Sequence, residues 1–271
     1  MKELSLQDRK DLSLEIMKDV HAFCIEHNIH YSLAGGTLIG AIRHHEFVPW
    51  DDDLDIVLPR PDYERFCASY VSDKYKLFAY PLGNSRIPFA RVCDMKRTYS
   101  NTYTKWADEE TGIWIDIIPL DGIGCSKEEF AIKAEEIRKL YNTLFHTRGA
   151  RMSLKGMPLK RKIKIIGKRI LYGKYNIDDL LKQYHDLVVG DWDNDQHAGN
   201  LSAPVYVRKE YLDRDIFDEY ILVDFCDTQF CAFKEYDRYL RNYFGDYMQL
   251  PPVEQRVPGH GEHKMYWVDE Q

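Results

Sequence analysis

The sequence predicts an α+β fold, a mixed central sheet flanked by helices with a helical segment set into it. Two observations predict it. Apolar runs of strand length, such as Ile56–Leu58 and Ile113–Ile118, are each entered or interrupted by an aspartate. Helical periodicity dominates elsewhere, at the N-terminus and over residues 126–190. The boundaries follow as 1–125 for a catalytic-type core, 126–200 for a helical, partly basic segment, and 201–271 for a C-terminal part packing on the core.

Residues 5–28 read as an amphipathic helix, because Leu12, Ile16, Val20, Phe23 and Cys24 recur at three- and four-residue steps. Tyr31–Leu33 follows as a first strand. Gly35 and Gly36 then permit positive φ and close backbone approach to a ligand. Thr37 is placed to cap a short helix, Leu38–His44, whose N-terminal amides would face an anion. Arg43, His44 and His45 end that helix, where cationic charge is favourable.

Four aspartates come next, Asp51, Asp52, Asp53 and Asp55, running into Ile56-Val57-Leu58. Carboxylates this dense repel one another unless a cation sits among them. Strand alternation points Asp53 and Asp55 the same way and sends Leu54 and Ile56 into the core. Two such carboxylates at a sheet edge suit a hard divalent cation with oxygen ligands. A solvated acidic turn is the plain alternative.

Pro61 suits the first turn of a helix to about Val71, with Tyr63, Phe66, Cys67 and Tyr70 inward. Tyr75–Tyr80 reads as a strand, and Ile87–Met95 with Thr98–Tyr103 as a hairpin. Arg91 interrupts the first hairpin strand. Such a residue either faces the acidic cleft or a phosphate, or faces water. Thr111–Leu120 holds Asp116 inside an apolar strand. It needs an arginine partner or a metal. With Asp53 and Asp55 upstream, the metal reading is preferred. Asp121 either assists there or belongs to a turn.

Ser126 and Glu129 form a capping box that starts a helix to about His146. Between Arg148 and Lys174 stand ten Lys/Arg and no acid, with Leu159, Ile163, Ile165, Ile166, Ile170 and Leu171 among them. That pattern reads as a membrane-surface helix or as an ordinary basic surface helix. Ile177–Val189 is a further helix. Gly190–Asn200 carries Asp191, Asp193 and Asp195 without the glycine and glutamate of a calcium loop, so it reads as a turn. Val205–Tyr211 and Tyr220–Phe225 read as strands, and Phe233–Phe244 as a helix closed by Gly245.

Composition narrows the classes. A net charge of −7 argues against a general nucleic-acid binder. No apolar run reaches membrane-spanning length, and the charged N-terminus is unlike a signal peptide. Six cysteines without a CxxC pair favour a reducing compartment over zinc or disulfides. The expected location is cytoplasmic, with peripheral contact at the inner membrane face through 148–174.

Gly-Gly at a helix start, D-x-D on a strand and a third aspartate on a later strand resemble the nucleotidyltransferase superfamily. The blocks Ala34-Gly-Gly-Thr-Leu-Ile-Gly-Ala-Ile-Arg43, Phe47-Val-Pro-Trp-Asp-Asp-Asp-Leu-Asp-Ile56, Trp114-Ile-Asp-Ile-Ile-Pro119 and Gly245-Asp-Tyr-Met-Gln-Leu-Pro-Pro252 resemble the LicD family more closely, over residues 34 to 252. The resemblance implies a nucleotidyltransferase-like fold and transfer of phosphocholine from CDP-choline to a hydroxyl of a cell-surface glycan, such as a teichoic acid, lipopolysaccharide or capsule precursor on a lipid carrier. It implies Mg²⁺ or Mn²⁺ held by Asp53, Asp55 and Asp116, with Asp116 or its rival Asp51 as base. Gly35, Gly36, Thr37, Arg91 and, more weakly, Arg43 are the candidates for donor binding. Alternatives are another polyol phosphate from a CDP-linked donor, NMP transfer from an NTP to a small acceptor, and an inactive binding protein of the same fold. The last is disfavoured because all three aspartates are present.

Overall fold

A computed structural model describes residues 2–100, 111–152, 154, 157–257 and 264–268. Helix α1 (Leu6–Glu26) starts at a reciprocal cap. The Asp8 N–H donates to Ser5 Oγ at 3.1 Å, and the Ser5 N–H donates to Asp8 Oδ2 at 2.8 Å. Its buried stripe, Leu12, Ile16, Val20 and Cys24, is the one the three- and four-residue spacing demands. Strand β1 (Ser32–Leu33), α2 (Gly35–His44), β2 (Asp55–Pro59), α3 (Arg60–Ser69), β3 (Lys76–Phe78), β4 (Ala90–Asp94), β5 (Thr98–Ser100) and β6 (Ile113–Ile123) follow.

The main sheet has the order β1-β2-β6-β4-β3. Strands β2 and β6 are parallel, and the other pairs are antiparallel. Strand β6 is the spine. One end pairs with β2 and β4, and its far end, Asp121–Ile123, pairs with β7 (His197–Gly199), which in turn pairs with β8 (Leu212–Asp213). The acidic strand β2 therefore lies inside the sheet, between β1 and β6, and not at the expected edge. Its apolar run explains this, because Ile56, Val57 and Leu58 are all buried and need cover on both faces.

Helix α3 is fastened to β6 by a buried pair. Arg60 Nε and Nη2 donate to Asp121 Oδ1 and Oδ2 at 2.7 and 2.8 Å. Asp121 thus serves the fold and neither a turn nor the metal. The hairpin expected between β4 and β5 does not form. Asp94 turns the chain instead, accepting the Lys96 and Arg97 N–H groups on Oδ1 and the Thr98 hydroxyl on its carbonyl. Strand β5 then pairs with β11 (Met265–Trp267). The rest of the expected strand Thr98–Tyr103 lies outside the described residues.

Helices α4 (Lys127–Ala150), α5 (Leu159–Tyr172) and α6 (Ile177–Val188) form the helical segment. Its small cores are Phe130, Ala134, Ile137, Tyr184 and Val188, and Leu144, Ile177, Leu180 and Leu181. The Ser126–Glu129 capping box is present. Val205–Tyr211 is not a strand. Val207–Lys209 is a 3₁₀ turn, in which the Lys209 N–H reaches the Tyr206 carbonyl at 2.7 Å. Apolar side chains cannot make a strand without a ladder partner, and Val205 is exposed. Strand β9 (Tyr220–Phe225) forms a hairpin with β10 (Thr228–Phe233), which buries Phe225, Phe230 and Phe233 in the main core. Helix α7 (Tyr236–Phe244) ends at Gly245, whose φ of +66° suits glycine.

Candidate active site

The site is built where α2 meets the parallel pair β2 and β6. Register sets Asp55 opposite Asp116 across β2 and β6, and Arg91 opposite Asp116 across β4 and β6. A cavity of 390 Å³ opens there, lined by Gly35, Gly36, Asp53, Asp55, Arg91 and Asp116 on its polar side. Regular β2 begins at Asp55, so Asp53 belongs to the extended lead-in rather than to the strand proper. The alternation still holds, because Leu54 and Ile56 are buried while Asp53, Asp55 and Val57 face the cavity.

Gly35 and Gly36 open α2, and the first amides of a helix have no intrahelical partner. Gly35 adopts φ +51°. A Cβ on Gly36 would stand 2.4 Å from Asp51 Oδ2, so the absent side chain is what lets the Asp51 carboxylate rest on the helix start. Thr37 does not cap the helix, which starts two residues earlier with Ala34 as its cap and no side-chain cap bond. The buried Thr37 hydroxyl accepts the Asp55 N–H at 2.9 Å and so fixes the entry of β2.

Arg91 Nε donates to Asp116 Oδ1 at 2.7 Å, and the guanidinium lies 4.5 Å from the Trp114 ring centroid. Burial works against the Arg91 charge, but Asp116 outweighs it and raises the arginine's pKa. Asp116 thus has the arginine partner that was one of its two readings, and it also faces the cavity with Asp53 and Asp55. Arg43 lies elsewhere. Its Nη1 donates to the Tyr247 carbonyl at 2.6 Å, and it lines a second cavity of 530 Å³ with Trp50, Asp51 and Tyr247. Gly36 and Phe244 border both cavities.

Among the described residues, Asp51, Asp52 and Asp53 bring carboxylate oxygens within 4.8 Å of one another. Asp52 is buried and takes Arg9 Nη1 at 2.9 Å. Burial, with repulsion from Asp53 and then Asp52, pushes the Asp51 carboxyl up to about 8. This all-oxygen donor set fits a hard divalent cation such as Mg²⁺ or Mn²⁺. Crowding that raises a carboxyl so far is the crowding that a cation relieves.

The rest of the cavity lining is absent from the sequence expectations. It carries Tyr206, Glu210, Tyr239, Tyr243 and Phe244. The Gly35 amide opposes the rise that burial gives the Tyr239 hydroxyl's pKa, which sets α7 beside the start of α2. The Tyr239 and Tyr243 spacing on one helix face is a visible signal, but it is equally the pattern of a core-facing helix.

Fold and site together define a nucleotidyltransferase-like domain whose carboxylates sit at the mouth of a parallel strand pair. Residues 28–148 match the LicD/FKTN/FKRP nucleotidyltransferase domain. The chain is 28% identical to the lipopolysaccharide cholinephosphotransferase LicD of Haemophilus influenzae over 284 aligned positions, 96% of this chain and 97% of that protein. Shorter matches join it to uncharacterised proteins of Rickettsia typhi (35% identity, 32% of this chain and 28% of that one) and Rickettsia prowazekii (43% identity, 23% and 24%).

Proposed function

We propose that the protein transfers phosphocholine from CDP-choline to a hydroxyl of a lipopolysaccharide or related cell-surface glycan precursor. What carries this reading is the cavity that sets Asp53, Asp55 and the Arg91–Asp116 pair beside the amides of Gly35 and Gly36, in a chain similar end to end to a cholinephosphotransferase. The start of α2 and the Arg91 guanidinium supply donors for phosphate oxygens. Asp53 and Asp55 are the residues to hold a divalent cation, with Asp116 beside them. Such a cation supplies neutralisation of charge on the phosphate oxygens.

In the transfer, the acceptor oxygen forms a bond to the phosphorus bearing choline. The bond from that phosphorus to the bridging oxygen breaks, and its electron pair leaves with CMP. The hydroxyl proton passes to a carboxylate. Asp116 is held by Arg91, whereas Asp51 borders the second cavity, from which an acceptor reaches the donor phosphate. We therefore assign Asp51 the proton and Asp116 the positioning of Arg91.

A lipid-linked acceptor fits α5. Its exposed residues Leu159, Ile163, Ile166 and Ile170 form one helical stripe, with Leu171 beside them and Lys160, Lys164 and Lys174 exposed around it. An apolar stripe ringed by lysine suits the surface of an anionic bilayer. No helix among the described residues is long and apolar enough to cross a membrane.

The deciding experiment incubates the protein with Mg²⁺ and CDP-choline, or with NTPs, beside a deacylated lipopolysaccharide acceptor. Release of CMP with choline appearing on the glycan supports the reading. Pyrophosphate release from an NTP would replace it with nucleotidyl transfer, and CMP release only from another CDP-alcohol would reassign the donor.

A further inference from the structure

Another part of the cavity lining pairs aromatic rings with a buried acid. Tyr239 and Tyr243 come from one face of α7, Phe244 from its last position, and Tyr206 from the turn before Glu210. The rings meet at angles. Tyr206 stands 6.1 Å from Tyr243 and 5.9 Å from Phe244, centroid to centroid, with interplanar angles of 62° and 82°. Tyr239 and Tyr243 are 4.8 Å apart.

Glu210 is 2% exposed among them. Its Oε2 accepts the Asn200 N–H at 2.8 Å and the Tyr243 hydroxyl. No lysine, arginine or histidine among the described residues pairs with it. The neighbouring Lys209 instead donates to the Tyr243 carbonyl at 2.6 Å, and Arg91 is held by Asp116. A carboxyl kept in a ligand-sized cavity without a cation is costly to ionise.

We propose that Glu210, Tyr206, Tyr239, Tyr243 and Phe244 form a quaternary-ammonium subsite that takes the trimethylammonium end of the donor. This inference rests on the phosphocholine reading and names the recognition element within it. A quaternary ammonium donates no hydrogen bonds. It is recognised by π-faces, which attract a cation through the ring quadrupole, and by a nearby carboxylate that needs no donor from it. Two hydrogen bonds already orient Glu210, so the cation requires no rearrangement of it. Burial pushes the Glu210 carboxyl up to about 8, and an entering cation reverses that by stabilising the carboxylate. A primary ammonium gains less from the same walls, because its N–H groups need acceptors that the rings do not supply.

The test has two readouts. In the first, tetramethylammonium chloride is titrated calorimetrically into the full-length protein. Wild type should bind it, and Glu210→Gln and Phe244→Leu should each weaken binding by about tenfold, the size of a desolvated cation–π or ion contact. In the second, kcat/KM is compared for CDP-choline and CDP-ethanolamine. The choline preference should fall by about the same factor in both variants. Glu210→Gln keeps the shape and can accept the same two hydrogen bonds. Phe244→Leu stands in should the glutamine variant not fold. Tetramethylammonium binding that is absent from wild type, or unchanged in the folded variants, overturns the subsite. So does an equal loss with both donors. If tetramethylammonium binds as expected but CDP-choline releases no CMP, the subsite stands and the transfer reading falls.

Discussion

Replacing Gly36 by alanine should separate activity from stability. The new Cβ would lie 2.4 Å from Asp51 Oδ2, and ordinary contact begins near 3.4 Å. The carboxylate must therefore withdraw by about 1 Å, away from the start of α2. A misplacement of this size in a catalytic group costs on the order of a hundredfold in rate. The backbone pulls the other way. Gly36 lies inside the first turn of α2 with no positive φ, where alanine favours the helix by up to about 1 kcal/mol over glycine. The expected pair of results is CMP release from CDP-choline slowed about a hundredfold, with Tm unchanged or raised. Gly35→Ala is the mirror control. Its added Cβ meets Asp55 Oδ2 only at 3.9 Å, but the residue sits at φ +51°, so stability should drop by about 1–2 kcal/mol. Wild-type turnover by a folded Gly36→Ala protein would refute the placement of Asp51 at the reacting centre.

Asp121→Ala should lower the urea-unfolding free energy by about 3–5 kcal/mol, because it leaves the buried Arg60 without its partner; turnover per folded molecule should be unchanged. Substituting Gln for Lys160, Lys164 and Lys174 together should weaken binding to phosphatidylglycerol vesicles roughly a hundredfold, at about 1 kcal/mol per lysine. Activity on a deacylated acceptor should persist, and vesicle binding equal to wild type would remove α5 from the membrane reading. Glu210 titrates near 4.5 in the unfolded chain and about 8 in the folded one, facing the Tyr243 hydroxyl, the Asn200 amide and Tyr239. The folded state therefore holds the extra proton, and this contribution to stability is complete below about 4.5 and lost as pH rises through about 8. Urea midpoints across that window should decline more in wild type than in Glu210→Gln.

Much of the polar half of the site could be read from the sequence, because an aspartate in an apolar run is a contradiction that calls for a partner. Asp116 is the clearest case. The sequence offered an arginine or the metal cluster, and the fold gives it Arg91 while keeping it on the cavity with Asp53 and Asp55. The Gly-Gly turn was legible for the same reason, since glycines before a helix signal close approach. The aromatic half was not. Tyr239 and Tyr243 repeat at helical spacing, which core packing produces as readily as a ligand wall does. Glu210 lay in a run that reads as a strand, where a lone glutamate means a solvent face, and a 3₁₀ turn buried it instead. Pairing across long sequence separation was equally hidden. β5 lacks any local mark that its partner is β11 rather than β4, and the Asp94 turn that decides it depends on side-chain hydrogen bonds.

Charge around the cavity argues for how a donor is accepted. Its lining holds Asp53, Asp55 and Asp116, with Glu210 kept protonated by burial, against one base, Arg91. Arg91 is already committed to Asp116, so an incoming diphosphate meets a wall of its own sign. In a partly enclosed site that repulsion is weakly screened. Two sources of positive charge would remove it, and they act at different places. A divalent cation is suited to Asp53 and Asp55 on the cavity, where Asp51 and Asp52 crowd Asp53. The trimethylammonium of the donor is suited to Glu210 and the rings beside it. On this reading the donor supplies part of its own neutralisation. A CDP-linked polyol would bring the same diphosphate without that cation, and would leave Glu210 protonated. The acidic surplus, at odds with a phosphate site taken alone, is then the feature that selects a donor with a cationic end.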